Sequence, residues 1–144
     1  MIRLAEPADA PALTRIARAA FAEYEAEIGQ VPPPALQDFP TDIAAGRVWI
    51  SGAPPDTYAV AFEKGNLWFL ENIAVAPDAQ GRGLGRKMIA FAEDEGRRRG
   101  HDRIALYTNA KMTGNLALYP ALGYDETGKR REHGLDRVYF EKRL

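Results

Sequence analysis

Residues 70–87, Leu-Glu-Asn-Ile-Ala-Val-Ala-Pro-Asp-Ala-Gln-Gly-Arg-Gly-Leu-Gly-Arg-Lys, restrict the fold more than any other stretch of the chain. The apolar run before Pro77 predicts a strand over Leu67 to Val75, and Pro77 ends it because proline cannot donate to a sheet ladder. Three alternating glycines then open a helix from about Gly83 to Arg99. Leu84, Met88, Phe91 and Ala92 share one of its faces, and Gly100 is its stop. Glycine permits positive φ and lets backbone approach a ligand with no Cβ in the way. The first turn of a helix exposes unpaired N–H groups at the positive end of its dipole. Such a strand, loop and helix make a cradle for an anion, most naturally a phosphate or pyrophosphate, and Arg82, Arg86 and Lys87 add positive charge beside it. Taken alone, the loop is also compatible with a glycine-rich turn that binds nothing.

Two familiar phosphate motifs do not match. A Walker loop requires Gly-x-x-x-x-Gly-Lys followed by Ser or Thr, whereas Gly85 is followed by Arg86, Lys87 and Met88. A dinucleotide fingerprint places its third glycine three residues after the second, and that position after Gly83 is Arg86. Neither an ATPase nor a dehydrogenase is supported.

The remaining pattern surrounds this unit with strands and helices. Ile2 to Ala5 reads as a strand and Asp9 as a helix start. Leu13, Ile16, Ala17, Ala20, Phe21 and Tyr24 then draw an apolar stripe down a helix that frays near Gly29, ahead of Pro32, Pro33 and Pro34. A second helix is predicted over Leu36 to Ala45. Strands follow at Val48 to Ser51 and Thr57 to Glu63, the latter turning at Lys64-Gly65-Asn66 into the signature strand. After the glycine-rich helix come a strand at Ile104 to Thr108, a helix at Thr113 to Leu122, and two closing strands from Tyr124 onward, the last at Val138 to Phe140. The order βααβββαβαββ predicts an α/β fold, an α+β mixed sheet with helices packed on it, in one domain over residues 1–144.

Composition narrows the function. The chain has 144 residues, 19 basic and 20 acidic, for a net charge of −1, which excludes a nucleic-acid binder held by bulk positive charge. With no cysteine and two histidines, a disulfide, a thiolate zinc site and a cysteine nucleophile are excluded, no metal is expected, and a reducing, cytoplasmic setting is. No apolar run approaches the length of a membrane span. The charges are nonetheless segregated: residues 1–80 carry 5 basic and 11 acidic side chains (5 − 11 = −6), and residues 81–144 carry 14 and 9 (14 − 9 = +5). The second half is therefore the one suited to an anion.

A second cluster, Asn115-Leu-Ala-Leu-Tyr119-Pro-Ala-Leu-Gly123-Tyr124, sets an amide and a phenol four residues apart on one helix face. By itself, a tyrosine at such a place is more often a buried ring than an acid. Taken together, Gln80-Gly81-Arg82-Gly83-Leu84-Gly85 after the strand and Asn115, Leu118-Tyr119 and Gly123-Tyr124 later resemble the GNAT superfamily of acyl-CoA-dependent N-acyltransferases. The resemblance extends to chain length and element order, and it implies a central, mostly antiparallel sheet flanked by helices.

The resemblance implies roles residue by residue. Ile73, Ala74 and Val75 would offer backbone groups to the pantetheine arm of acetyl-CoA. The amides of Gln80, Gly81, Arg82, Gly83, Leu84 and Gly85, with Arg86 beside them, would hold its pyrophosphate. Asn115 would reach the arm, and Tyr119 would donate to the sulfur of the leaving thiolate. Glu71 is the candidate base for the acceptor amine, assigned because it shares a side-chain register with Phe69 and Ile73, and it reads equally as a solvent-facing or salt-bridged residue. Glu25 and Glu27, near the end of the first helix, are candidates for the acceptor wall. The implied partner is a small-molecule or peptide amine, with no nucleic acid and no membrane, and a homodimer is compatible with the resemblance. A catalytically silent acyl-CoA-binding domain and a nucleotide-binding module are the alternatives.

Overall fold

Seven strands close into one sheet in the computed structural model, which describes residues 1–144. The strands are β1 (Ile2–Leu4), β2 (Val48–Ser51), β3 (Thr57–Lys64), β4 (Leu67–Val75), β5 (Arg103–Asn109), β6 (Asp125–Glu132) and β7 (Leu135–Arg143). Their spatial order is β1-β2-β3-β4-β5-β7-β6, and every pairing is antiparallel except β4 with β5. The helices are α1 (Ala10–Phe21), α2 (Glu25–Ile28), α3 (Phe39–Ala44), α4 (Leu84–Arg98) and α5 (Thr113–Ala121). On one face of the sheet, Leu13, Ile16 and Phe21 of α1 and Phe39 of α3 pack over Ile50 and Tyr58. On the other, Met88, Ile89 and Ala92 of α4 and Tyr119 of α5 pack over Trp68 and Leu106. This is the expected mixed, mostly antiparallel α/β architecture. No helix is long and apolar enough to cross a membrane.

The helical segments before β2 differ from the sequence reading. The first helix is broken: α1 ends at Phe21, a 3₁₀ turn covers Ala22–Tyr24, and α2 ends at Gly29, whose φ of 85° supplies the left-handed cap. The second helix begins later than Leu36. Pro33–Leu36 forms its own 3₁₀ turn, since proline is tolerated where the N–H would be unpaired. Gln37 then turns extended, and the Asp38 carboxylate accepts from the Thr41 hydroxyl at 2.7 Å to start α3. At the far end, β7 is longer than Val138 to Phe140 and slots between β5 and β6. The β6–β7 hairpin turns through His133 and Gly134, both at positive φ (52° and 76°), as a tight two-residue turn requires.

The feature that builds the site is a bulge in β4. Val60 pairs with Asn72 and Ala61 with Leu70, so Glu71 is an extra residue with no partner on β3. Before the bulge, Trp68 and Leu70 face α4. After it, Asn72 and Ala74 face α1 and Ile73 faces α4. The register assumed from sequence is therefore corrected: Phe69 and Ile73 lie on opposite faces, because one inserted residue shifts the period-two pattern. A bulged strand bends, and here β4 leaves β5 after only two paired positions, Trp68 with Ile104 and Phe69 with Ala105. The strands splay from there toward their C-terminal ends.

Packing beneath α4 sets one stability expectation. A Cβ added to Gly96 would lie 2.7 Å from Cδ1 of Trp68, a fully buried ring whose Nε1–H donates to the Ala92 carbonyl at 2.9 Å. Helix propensity would reward Gly96→Ala by up to about 1 kcal/mol, but forcing a side chain into a packed core costs about 1–3 kcal/mol. Urea unfolding should show the variant less stable than wild type by about 1 kcal/mol. A more stable variant would mean that Trp68 yields.

Candidate active site

The splay between β4 and β5 opens two hollows that meet at one phenol. On the α1 face a narrow pocket of about 60 Å³ lies among Phe21, Pro33, Glu71, Tyr107 and Tyr119. Toward α4 a wider groove of about 260 Å³ runs past Tyr24, Ile73, Val75, Gln80 and Gly85 to the same Tyr119. Phe21, Ile73, Met112 and Asn115 also line both.

Tyr119 is 5% exposed, its ring edge-on to Tyr124 at 5.6 Å and tilted against Phe140 at 5.8 Å. It is thus a core aromatic that also lines both hollows. Burial pushes its pKa up to about 12, and its hydroxyl makes no hydrogen bond within the protein, so at neutral pH it is a protonated donor facing the junction. Asn115, one turn earlier on α5, donates to the Thr108 hydroxyl at 3.1 Å and so ties α5 to β5. Its amide oxygen has no protein partner.

The glycine-rich loop forms the far end of the groove. Gly81 and Gly83 have φ of 84° and 76°, and nothing lies within 4 Å of where their Cβ atoms would be. The first amides after Gln80 to donate within the protein belong to Lys87 and beyond, leaving those of residues 81–86 unpaired at the N-terminus of α4. Gln80 folds back, its Nε2–H bonding the Val75 carbonyl at 3.2 Å. Arg82, Arg86 and Lys87 are exposed and enter no ion pair. Ile73, Ala74 and Val75 pair with β3 on one side, and their other edge borders the splay.

Glu71 lies in the narrow pocket, held by a network the sequence did not reveal. Gln37 Nε2–H donates to Glu71 Oε1 at 2.8 Å and to Asp42 Oδ2 at 2.6 Å, while Asn72 Nδ2–H donates to Gln37 Oε1 and to the Pro34 carbonyl, each at 3.0 Å. The fully buried Tyr58 hydroxyl completes it by donating to Asn72 Oδ1 at 2.9 Å. The proline-rich wall is thereby fastened to the bulge. Asn72, a buried amide in an apolar strand, carried a sequence signal; Gln37, 34 residues from Glu71, carried none. The structure does not bring Glu25 and Glu27 to this pocket. Both are exposed, and Glu27 borders a separate shallow groove with Lys111 and Arg131.

Residues 13–124 match the sequence profile of the acetyltransferase (GNAT) family. The chain belongs to this family. Over 64 residues this GNAT chain is 41% identical to the ribosomal protein bS18-alanine N-acetyltransferase of Escherichia coli K12, covering 44% of the chain and 43% of that relative. Over 63 residues it is 38% identical to a mycothiol acetyltransferase of Beutenbergia cavernae, covering 44% of the chain and 21% of that protein. These matches span less than half of the curated relatives' length. Among solved structures, the ribosomal-protein-S18-alanine N-acetyltransferase of Escherichia coli superimposes with a TM-score of 0.76 at 24% identity, covering 100% of this chain and 93% of that one. The PaiA N-acetyltransferase of Thermoplasma acidophilum, solved with coenzyme A, gives 0.82 at 15% identity, covering 100% and 98%. At such identities the likeness is one of fold.

Proposed function

We propose that the chain is an N-acetyltransferase that uses acetyl-CoA and passes the acetyl group directly to a primary amine. The observation that carries this is the meeting of two hollows at the Tyr119 hydroxyl, with six unpaired amides at the end of one and a carboxylate in the other. Acetyl-CoA supplies an activated thioester. The amides of residues 81–86 and the charges of Arg82 and Arg86 hold its pyrophosphate, and the open edge of Ile73 to Val75 orders the arm as an added strand would. Asn115 offers its free amide oxygen to the same arm. Tyr119 donates to the sulfur as negative charge develops there, which lowers the barrier to expelling it.

An alkyl ammonium of pKa about 10.4 is only about one part in a thousand neutral near pH 7.4, so the acceptor must lose a proton before attack. Glu71, reached from the same pocket and oriented by Gln37, accepts that proton directly or through water. Glu71→Gln should lower kcat/KM about tenfold at neutral pH and less above pH 9, where more of the amine is already neutral. A pH-independent loss would make Glu71 a positioning residue only. The reading as a whole is tested by following CoA release with acetyl-CoA fixed and the acceptor varied across small amines, amino acids, aminoglycosides and peptides. Tight CoA binding with no release for any acceptor would favour a silent acyl-CoA-binding domain.

A further inference from the structure

Opposite Glu71 in the narrow pocket lies a cation that the acetyl-transfer chemistry does not use. Arg137 is on β7, paired with Asn109 of β5, and its side chain is only 11% exposed. Its guanidinium sits 4.4 Å above the ring of Tyr107. The one acid beside it is Glu132, at 3.5 Å, and the same Glu132 oxygen already accepts from the Tyr139 hydroxyl. That long ion pair is the one polar side-chain contact the Arg137 guanidinium makes within the protein. A largely buried guanidinium held by one long, shared ion pair has donors to spare, and its planar geometry matches a carboxylate. Tyr107 lines the same pocket as both charges; burial raises its pKa, Arg137 lowers it, and Glu71 and Glu132 raise it.

We propose that the acceptor is a small amino acid or other amino-carboxylate, its amine directed to Glu71 and Tyr119 and its carboxylate clasped by Arg137. The proposal rests on the acetyl-transfer reading for the amine end only. One pocket then holds a negative group for the ammonium and a positive group for the carboxylate, which orients the acceptor and rejects amines that lack the acid. The free volume of about 60 Å³ suits a compact molecule, and a chain N-terminus would bring an amide where Arg137 calls for a carboxylate.

The test has a binding arm and a turnover arm. In calorimetry on the CoA-loaded protein, the acetylated forms of glycine, alanine, β-alanine and γ-aminobutyrate are compared with their primary amides. At least one acid should bind ten times or more tighter than its amide. Arg137→Gln should bring that ratio close to one, Arg137→Lys should restore part of it, and unchanged CoA affinity shows that each variant is folded. Equal binding of every acid and amide by wild type, or the same ratio in Arg137→Gln, overturns the proposal. In turnover, the free amino acids should outpace their amides and a C-terminally amidated tetrapeptide, and a peptide that is the better acceptor overturns it as well. Acid-selective binding lost in Arg137→Gln, with no CoA release from any acceptor, would support the carboxylate site and overturn acetyl transfer alone.

Discussion

Replacing Tyr119 by Phe is expected to lower turnover by about 10²-fold or more while leaving affinity for CoA nearly unchanged. The substitution keeps the ring that packs on Tyr124 and Phe140 and removes only the hydroxyl at the junction of the two hollows. Because that hydroxyl has no protein partner, its loss leaves no unpaired group behind, and stability at neutral pH should hold. At high pH the two proteins should part. Tyr119 ionises near 10 when unfolded and near 12 when folded, so its contribution is full below pH 10 and is lost as pH rises through 12. Wild type should therefore lose more stability than the Phe variant between those values. Wild-type turnover in the variant would leave Tyr119 as a core aromatic alone.

Gly83→Val should weaken CoA binding by roughly 10-fold to 100-fold. Gly83 sits at φ 76°, a conformation that costs an L-residue about 1–2 kcal/mol and a β-branched one more. There is open space around the position, so the effect comes from the backbone rather than from collision with a neighbour. Leaving the left-handed region would reorient the unpaired amides around Gly83 at the start of α4. Calorimetry of CoA binding, with circular dichroism to establish that the variant is folded, checks the expectation. Unchanged affinity in a folded variant would move the anion site elsewhere.

Local signals were legible because their causes are local. Glycines before a helix, proline after a strand and a polar hairpin turn act through φ, ψ and lost donors within a few residues, and they marked β4, α4 and the loop correctly. The Gly29 cap was equally readable, but the break at Phe21 was not, since the apolar stripe continues to Tyr24 through a 3₁₀ turn. What composes the narrow pocket was hidden for a different reason. Gln37 and Arg137 reach the pocket from segments far from Glu71 in the chain, and nothing in their neighbours announces it. The charge segregation pointed to an anion in the second half, where the unpaired amides lie. Glu25 and Glu27 were suggested by the family resemblance, which implies an acceptor wall built from the segment between the first two helices, and the structure sets them exposed on α2 outside the pocket.

The unpaired position in β4 has an arithmetic of its own. Remove residue 71 and Leu70 and Asn72 become consecutive, opposite Ala61 and Val60, so the ladder with β3 turns regular and every other side chain keeps its face. The scaffold has no need of that residue to close. Straightened, β4 would run on beside β5 past Phe69, and the two strands would zip where they now part. A one-residue deletion would thus erase the carboxylate and seal the opening together, leaving an intact sheet with nowhere for two substrates to meet.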